Sequence, residues 1–224
     1  MNILSTFITS HLFKLLIAAL GETILMVFFS TLLASLFGLM LGVVLHITRA
    51  GQICSSPCLQ KILETVVNAG RSIPFIILMV AIIPFTRFVA GTSIGTIAAI
   101  VPLTVAAIPF MARLVEGVLM EIPSGLMDAA LAMGLQPFQV ITKVLLPEAL
   151  PGILNSITIT MITLVNYSAM AGAIGGGGLG DIGIRYGYER FDGTVMLVTV
   201  LILIVLVQLI QSTGHYLVKK VDHR

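Results

Sequence analysis

Five apolar stretches, residues 23–47, 66–86, 88–112, 149–180 and 193–218, lie between the charged residues of the chain, and each is long enough to cross a bilayer as a helix. About 20 consecutive apolar residues span the hydrocarbon core, and a helix satisfies its own backbone N–H and C=O groups where no water can. The stretches therefore predict an all-α integral membrane protein with five transmembrane helices. Composition supports this: 58% of the 224 residues are hydrophobic and 10% charged, against roughly 25% charged in a soluble globule. No room remains for a separate soluble domain, so residues 1–224 form a single transmembrane domain. The second stretch is interrupted by Arg71, Pro74 and Pro84, a break that neighbouring helices can re-satisfy in a membrane. Residues 1–14 lack a basic region followed by a small-residue cleavage site, so no removable signal peptide is read and the first span is expected to direct its own insertion.

The net charge of +2 and the absence of a dense run among the 12 Lys and Arg residues exclude nucleic acid and strongly acidic ligands as partners. Orientation follows from where the positive residues fall on alternate sides of five spans. Arg49, Lys61, Arg71, Arg113, Lys143, Lys219, Lys220 and Arg224 fall on one side, and Lys14, Arg87, Arg185 and Arg190 on the other. The richer side is expected to be cytoplasmic, which places the N-terminus outside and the C-terminus inside. The long polar interruption between the third and fourth spans, residues 115–148, is then cytoplasmic and open to a partner.

Within that interruption, residues 121–147 read as two short helices separated by a break. Ser124 is a fair N-cap and Gly134 a fair residue just beyond the C-cap. A helix over 124–134 is only ~15 Å long and cannot span a bilayer, so it must lie across the membrane face. Helical spacing places Leu126, Ala129, Ala130 and Met133 on one side, with Asp128 on the other. Its Ala and Gly residues leave the backbone nearly bare, which suits insertion into a cleft on another protein. An amphipathic helix that merely covers lipid headgroups fits equally well. Pro137 is expected at the first position of the second helix, with Phe138, Ile141 and Leu145 on one face and Pro147 as the stop.

The spacing of Asp128-Ala129-Ala130, Gly134, Val144 and Leu146-Pro147 resembles the cytoplasmic "EAA" loop of the permease subunits of ATP-binding-cassette importers. Asp stands for the usual Glu and Val for the usual Ile. More narrowly, the chain resembles the methionine-importer permease family, on the stretches RSIPFIIL from Arg71, GTSIGTIAAIVPLTVAAIPFMARLVE from Gly91, KVLLPEALPGI from Lys143 and YSAMAGAIGGGGLG from Tyr167. The first 20 residues and the loop holding Cys54 and Cys58 carry no such likeness. Asn166 departs from the pattern, which has a small residue there, and this bears on the shape of the local pore. The resemblance implies uptake of D- and L-methionine across a bacterial inner membrane. It also implies an assembly of two copies of this chain, two cytoplasmic ATPase subunits and an external substrate-binding lipoprotein. The ATPase would use ATP and Mg2+, and this chain would bind neither. Consistent with this, no G-x-x-x-x-G-K-[ST] loop is present to cradle nucleotide phosphates, so the chain is a non-catalytic transport subunit with hydrolysis expected on a separate partner. The implied ATPase-coupling residues are Ser124, Gly125, Leu126, Met127, Asp128, Ala129, Ala130, Met133 and Gly134.

On the fourth span Ser156, Thr160, Thr163 and Tyr167 recur at i, i+4, i+7 and i+11 and stack on one stripe that Met170 continues. Uncharged hydroxyls so placed either line a polar path or bond to preceding carbonyls and neighbouring helices. The importer resemblance favours a translocation pathway, with Met170 at its outer gate. The rival class is an ion-coupled secondary transporter of a small neutral or zwitterionic solute. Glu22 and Glu116 lie near span ends, so no ionisable residue is expected at the midplane, where proton-driven carriers keep one. An intramembrane hydrolase would need a deep His or Asp beside its nucleophile, and the spans offer neither.

Residues 175–180 match G-x-G-x-x-G, but no strand precedes them, so a tight turn or close subunit packing is the better reading than a dinucleotide site. The small-residue spacing of Ser168, Gly172 and Gly176 supports a helix contact. Cys54 and Cys58 are expected to stay reduced in a cytoplasmic loop, with His46 too distant in sequence to complete a zinc set. His11, His215 and His223 are expected to be solvated. Arg185, Tyr186, Tyr188, Glu189 and Arg190 form an outer polar loop suited to an external binding protein or to interfacial anchoring.

Overall fold

The computed structural model describes residues 2–222, with side chains from residue 12 onward. His11, His223 and Arg224, read above from sequence, lie outside the described side chains. Ten α-helices form the framework of the described residues: α1 (Asn2–Ile47), α2 (Pro57–Ser72), α3 (Phe75–Ala81), α4 (Ile83–Ala90), α5 (Thr96–Met120), α6 (Ser124–Ala132), α7 (Pro137–Val140), α8 (Leu146–Ala171), α9 (Gly178–Ile182) and α10 (Gly193–Val221). Three π-helical turns, Ile141–Leu145, Gly172–Gly176 and Gly183–Tyr188, join or extend them, and no strand occurs among the described residues. Among the described residues four helical runs are long and apolar enough to cross a membrane: Leu12–Ile47, Thr96–Met120, Pro137–Gly176 and Gly193–Val221. The bent pair Pro57–Ser72 and Phe75–Ala81 makes a fifth if counted as one span.

The all-helical, multi-span architecture agrees with the sequence, but charged residues prove poor markers of helix ends. α1 begins well before residue 23, and both Lys14 and Glu22 lie inside it. α5 runs eight residues past the expected end at Ala112, because Arg113 and Glu116 pair with each other inside the helix. At the start of the same expected span, Phe88 belongs to α4, which ends where Gly91 turns left-handed at φ 73°. A non-glycine residue there would be strained. Between α2 and α3 the chain bends by 101°. Pro74 forces the preceding Ile73 into an extended conformation, φ −81° and ψ 123°, which ends α2. Pro147 does not stop the helix before it. Leu146 instead donates to the carbonyl of Ile141, five residues back, and this wide turn carries the chain through the missing proline donor into α8.

The chain divides into two compact units. The first comprises the chain up to Thr31, Pro74–Thr104 and Met161–Leu209. Its core packs Leu16 and Ala19 of α1 against Leu179 and Ile182 of α9 and Val195 of α10. Asp192 caps α10, accepting hydrogen bonds from the N–H groups of Thr194 at 3.0 Å and Val195 at 3.2 Å.

The second unit comprises Leu32–Ile73, Val105–Thr160 and the chain from Ile210. Met111, Val115 and Leu119 of α5 form its spine, covered by Met127 and Ala130 of α6 and by Val140, Leu145, Ala149 and Ile153. Val140 and Leu145 are five residues apart and both buried, a spacing the π-helical turn creates. The expected face of Phe138, Ile141 and Leu145 is corrected accordingly, since Phe138 is 73% exposed. Glycine permits close approach of α1 to α5. A Cβ on Gly38 would lie 2.7 Å from Met111 Cβ, and one on Gly42 would lie 2.7 Å from the Ala112 carbonyl oxygen. Within lipid such van der Waals packing, rather than exclusion of water, is what holds helices together.

Gly42→Val is accordingly expected to lower the stability of the detergent-solubilised chain by about 1–3 kcal/mol, the usual range for overpacking, read as a fall in thermal unfolding temperature. Gly117→Ala, where an added Cβ meets nothing within 4 Å, serves as the control and should leave that temperature unchanged or raise it.

Candidate functional site

The short helix expected between the third and fourth spans is present as α6. α5 closes with Glu121 N–H donating to Val118 O at 3.2 Å, and buried Ile122 then pins the chain before Pro123. Pro123, φ −59° and ψ 129°, is the N-cap residue, with no side-chain capping bond. Ser124 is therefore the first helical residue and not the cap expected from sequence. The other end follows the expectation. Gly134 adopts φ 84°, its N–H donates to Leu131 O at 2.9 Å, and Leu135 N–H donates to Ala130 O at 3.3 Å. These two bonds make a Schellman motif that satisfies the last carbonyls.

α6 turns Met127 and Ala130 into the core and leaves Ser124, Gly125, Leu126, Asp128, Ala129, Met133 and Gly134 exposed. Ala130 is thus separated from the Leu126, Ala129 and Met133 face on which sequence spacing put it. Asp128 shares the exposed surface and makes no ion pair among the described residues. Met133 is 73% exposed, an adaptable apolar side chain offered to solvent at the end of the short helix that also exposes Asp128.

Behind α6 lies an ionic cluster that sequence reasoning missed, having read its members as markers of span ends. Glu116 is 1% exposed. Its Oε2 accepts from Arg113 Nη1 at 2.6 Å, and its Oε1 lies 3.6 Å from Arg49 Nη1. Arg113 Nη2 also reaches Glu64 Oε1 at 3.4 Å, and Arg49 contacts the Met120 sulfur. The buried carboxylate thereby joins the chain just after α1 to the end of α5, and Arg113 carries the cluster on to the middle of α2. The i, i+3 spacing of Arg113 and Glu116 was visible in the sequence, whereas Arg49 and Glu64 are brought in only by the fold. Next to this cluster an open cleft of about 480 Å3 is lined by His46, Arg49, Gln52, Met120, Ser124 and Met127. His46 is buried, and neither ring nitrogen has a hydrogen-bond partner among the described residues. Cys54 and Cys58 are exposed free thiols.

On α8 the hydroxyl stripe is largely turned inward. Ser156 and Thr160 are buried, and each donates to the carbonyl four residues earlier, Gly152 O at 2.9 Å and Ser156 O at 2.8 Å. This is the local back-bonding that sequence left open. Thr163 and Tyr167 are half-buried and Met170 is exposed. The Tyr167 ring stacks on Phe75, with centroids 4.7 Å apart and planes within 2°.

The G-x-G-x-x-G run is occupied by the chain itself. Gly175, Gly177 and Gly178 have φ of 89°, 79° and 78°, turning N–H groups toward α1. Glu22 Oε2 accepts from Gly178 N–H at 2.7 Å, and Thr23 Oγ1 accepts from Leu179 N–H at 2.9 Å. The donors that such a loop offers to a phosphate elsewhere here hold a carboxylate of α1. Ser168, Gly172 and Gly176 are buried, and added Cβ atoms on the two glycines would strike this chain's own backbone, so this small-residue spacing serves packing within the chain. In the polar segment near residue 190, Arg185 pairs with Asp181 at 2.8 Å and the Arg190 guanidinium lies 4.5 Å over the Tyr186 ring, with Tyr188 exposed.

The fold is thus that of a multi-pass membrane protein, with one short helix packed on α5 and showing an exposed acidic and apolar face. Residues 34–223 match the family described as binding-protein-dependent transport system inner membrane component, and the chain belongs to that family. Among its relatives, the probable D-methionine transport system permease protein MetI of Vibrio cholerae serotype O1 is 58% identical over 210 residues, covering 94% of this chain and 93% of that one. The D-methionine transport system permease protein MetI of Escherichia coli K12 is 56% identical over 158 residues, covering 70% of this chain and 73% of that one. A chain from an inward-facing structure of the MetNI methionine ABC transporter superposes with a TM-score of 0.93 at 53% identity, covering 94% and 97% of the two chains. A chain of an amino acid ABC transporter crystallised with histidines has a TM-score of 0.76 at 17% identity, covering 98% and 99%, and shares the fold.

Gly178→Ala should disturb the Glu22-bound loop, because the residue sits at φ 78° and the new Cβ would lie 2.7 Å from Thr23 Oγ1. A loss of about 1–3 kcal/mol in stability, the range for a non-glycine residue held in that backbone region, is expected in a thermal unfolding measurement. Gly21→Ala, open to 4 Å, should show none.

Proposed function

We propose that this chain is the permease subunit of a binding-protein-dependent, ATP-driven importer and forms the pathway by which methionine crosses the inner membrane. The observation that carries the proposal is the 58% identity to a D-methionine permease over nearly the full length of both chains. The 0.93 TM-score to the methionine transporter chain supports it. In this reading two copies of the chain associate with two ATPase subunits, which use ATP and Mg2+, and receive methionine from an external binding protein. The N-terminus faces outward and the C-terminus the cytoplasm, on the bias of the positive residues.

α6 is the coupling element. Its exposed Asp128, Ala129 and Met133 enter the ATPase surface while Met127 and Ala130 fix it to the α5 spine. A displacement of the ATPase then moves α5 and the elements held to it by Glu116 as a body. The pathway runs along α8 past Thr163, Tyr167 and Met170, with Met170 as the outer gate. Ser156 and Thr160, their hydroxyls bonded within the helix, form its buried flank.

The complex reconstituted in liposomes with its cognate ATPase and binding protein is expected to take up D- and L-methionine only when ATP is supplied. Uptake abolished by a protonophore at constant ATP would replace the importer with an ion-coupled carrier. In the same preparation Asp128→Lys and Gly134→Val are each expected to lower uptake at least about tenfold, since loss of a charge-assisted contact or of the left-handed cap costs more than about 1.4 kcal/mol. Full ATPase assembly and full uptake in both variants would refute the coupling role of α6.

A further inference from the structure

Asn166 is the exposed polar residue on the stretch of α8 that carries Thr163, Tyr167 and Met170. Of the polar side chains between residues 161 and 171, Ser168 is buried and donates to Val165 O at 2.7 Å, Thr163 is half-buried, and Tyr167 is held against Phe75. Asn166 alone among them is exposed, and its carboxamide has no hydrogen-bond partner among the described residues. The residue lies some 7.5 Å, at 1.5 Å per residue, inside the helix end at Ala171, within a run apolar enough to span the membrane. A carboxamide offers two donors and acceptor lone pairs, and hydrocarbon satisfies none of them. Such a group within a span must face water, a solute or another protein chain.

Its neighbours point to which. Met170, one turn further on, shares the exposed face, at 38% exposure. Tyr167, between them in sequence, is turned aside and fixed by the parallel Phe75 ring, so the wall beside the pair is rigid. Asn166 and Met170 thus set a hydrogen-bonding head next to a flexible, polarisable thioether on one strip of helix. That pairing matches a zwitterionic amino acid with an unbranched apolar side chain. Its ammonium and carboxylate both find partners in a carboxamide, and its tail finds a soft apolar surface.

We infer that Asn166 is a specificity-determining residue of the pathway, hydrogen-bonding the charged head of the passing amino acid while Met170 receives its side chain. The inference rests on the proposed importer function. Asn166→Leu keeps the four-atom branched shape of the Asn side chain and removes every side-chain hydrogen bond.

The test uses the full complex in liposomes, with cognate ATPase and methionine-loaded binding protein, and reads methionine taken up per ATP hydrolysed. Wild-type uptake is measured first. Its absence would refute the importer function itself, whereas the present inference is decided by comparing variants with an active wild type. Asn166→Leu is expected to lower uptake per ATP about tenfold, the effect of one lost hydrogen bond to a charged group. Asn166→Ser, which supplies a hydroxyl as donor and acceptor in place of the carboxamide, should recover it to within about threefold of wild type, a rescue that a purely structural role would not give. Uptake per ATP in assembled Asn166→Leu within about twofold of wild type would overturn the inference. So would dissociation of the complex in both Asn166→Leu and Asn166→Ala, which would make Asn166 a contact between copies of the chain.

Discussion

Every break in a helix that crosses a bilayer exposes backbone groups that lipid cannot satisfy, at several kcal/mol each, and the rest of this structure depends on how the chain repairs its own breaks. Where the Gly-rich segment leaves the helix, Gly178 and Leu179 give their N–H groups to Glu22 and Thr23 of α1. Outside the spans the same need is met at the end of α6, where Gly134 and Leu135 close the carbonyls. At the start of α7, Gln136 N–H donates to the Gln139 side chain at 3.0 Å. Pro147 is absorbed by a π-helical turn rather than by a stop. Each repair ties a break to a particular partner and so gives an otherwise featureless apolar chain a specific fold.

The same economy of polar groups governs the second unit. A buried carboxylate is tolerated only when paired, and Glu116 is paired twice. The end of α1 and α5 consequently meet at one charge, and Arg113 extends the cluster to Glu64 of α2, behind the helix that presents Asp128 and Met133. α6 is short and would be marginal alone, but Met127 and Ala130 lock it to α5, so a force applied to its exposed face is delivered to the spine of the unit instead of being lost in a loop. That rigidity is what the proposed role as a coupling element requires.

In the first unit, polar side chains divide into those consumed by the fold and those left over. Glu22, Thr23 and Ser168 are spent on backbone groups, and Tyr167 is spent on an aromatic stack. On the stretch of α8 within this unit Asn166 and Met170 are left exposed, and the proposed pathway sets them beside the solute. Function is therefore located less by which residues are polar than by which polar residues the fold has not already used.

Much of this was legible in the sequence. Apolar run length determined the helical membrane class, the Asp128 to Pro147 spacing located α6 and the family resemblance, and Gly134 marked the end of the helix, because each depends on residues close together in the chain. The span boundaries drawn at Glu22 and Arg113 were misplaced, since a charge does not end a helix where a partner, near or remote in the chain, satisfies it. Ser156 and Thr160 were set on the right helix, but helical periodicity says which residues share a face and not which way that face turns. Local pattern, set by backbone geometry within a few residues, was the sequence's to determine. The facing of α8, the seating of Ala130, the Glu116 cluster and the capture of Gly178 by Glu22 are contacts between residues remote in the chain, and only the tertiary structure could decide them.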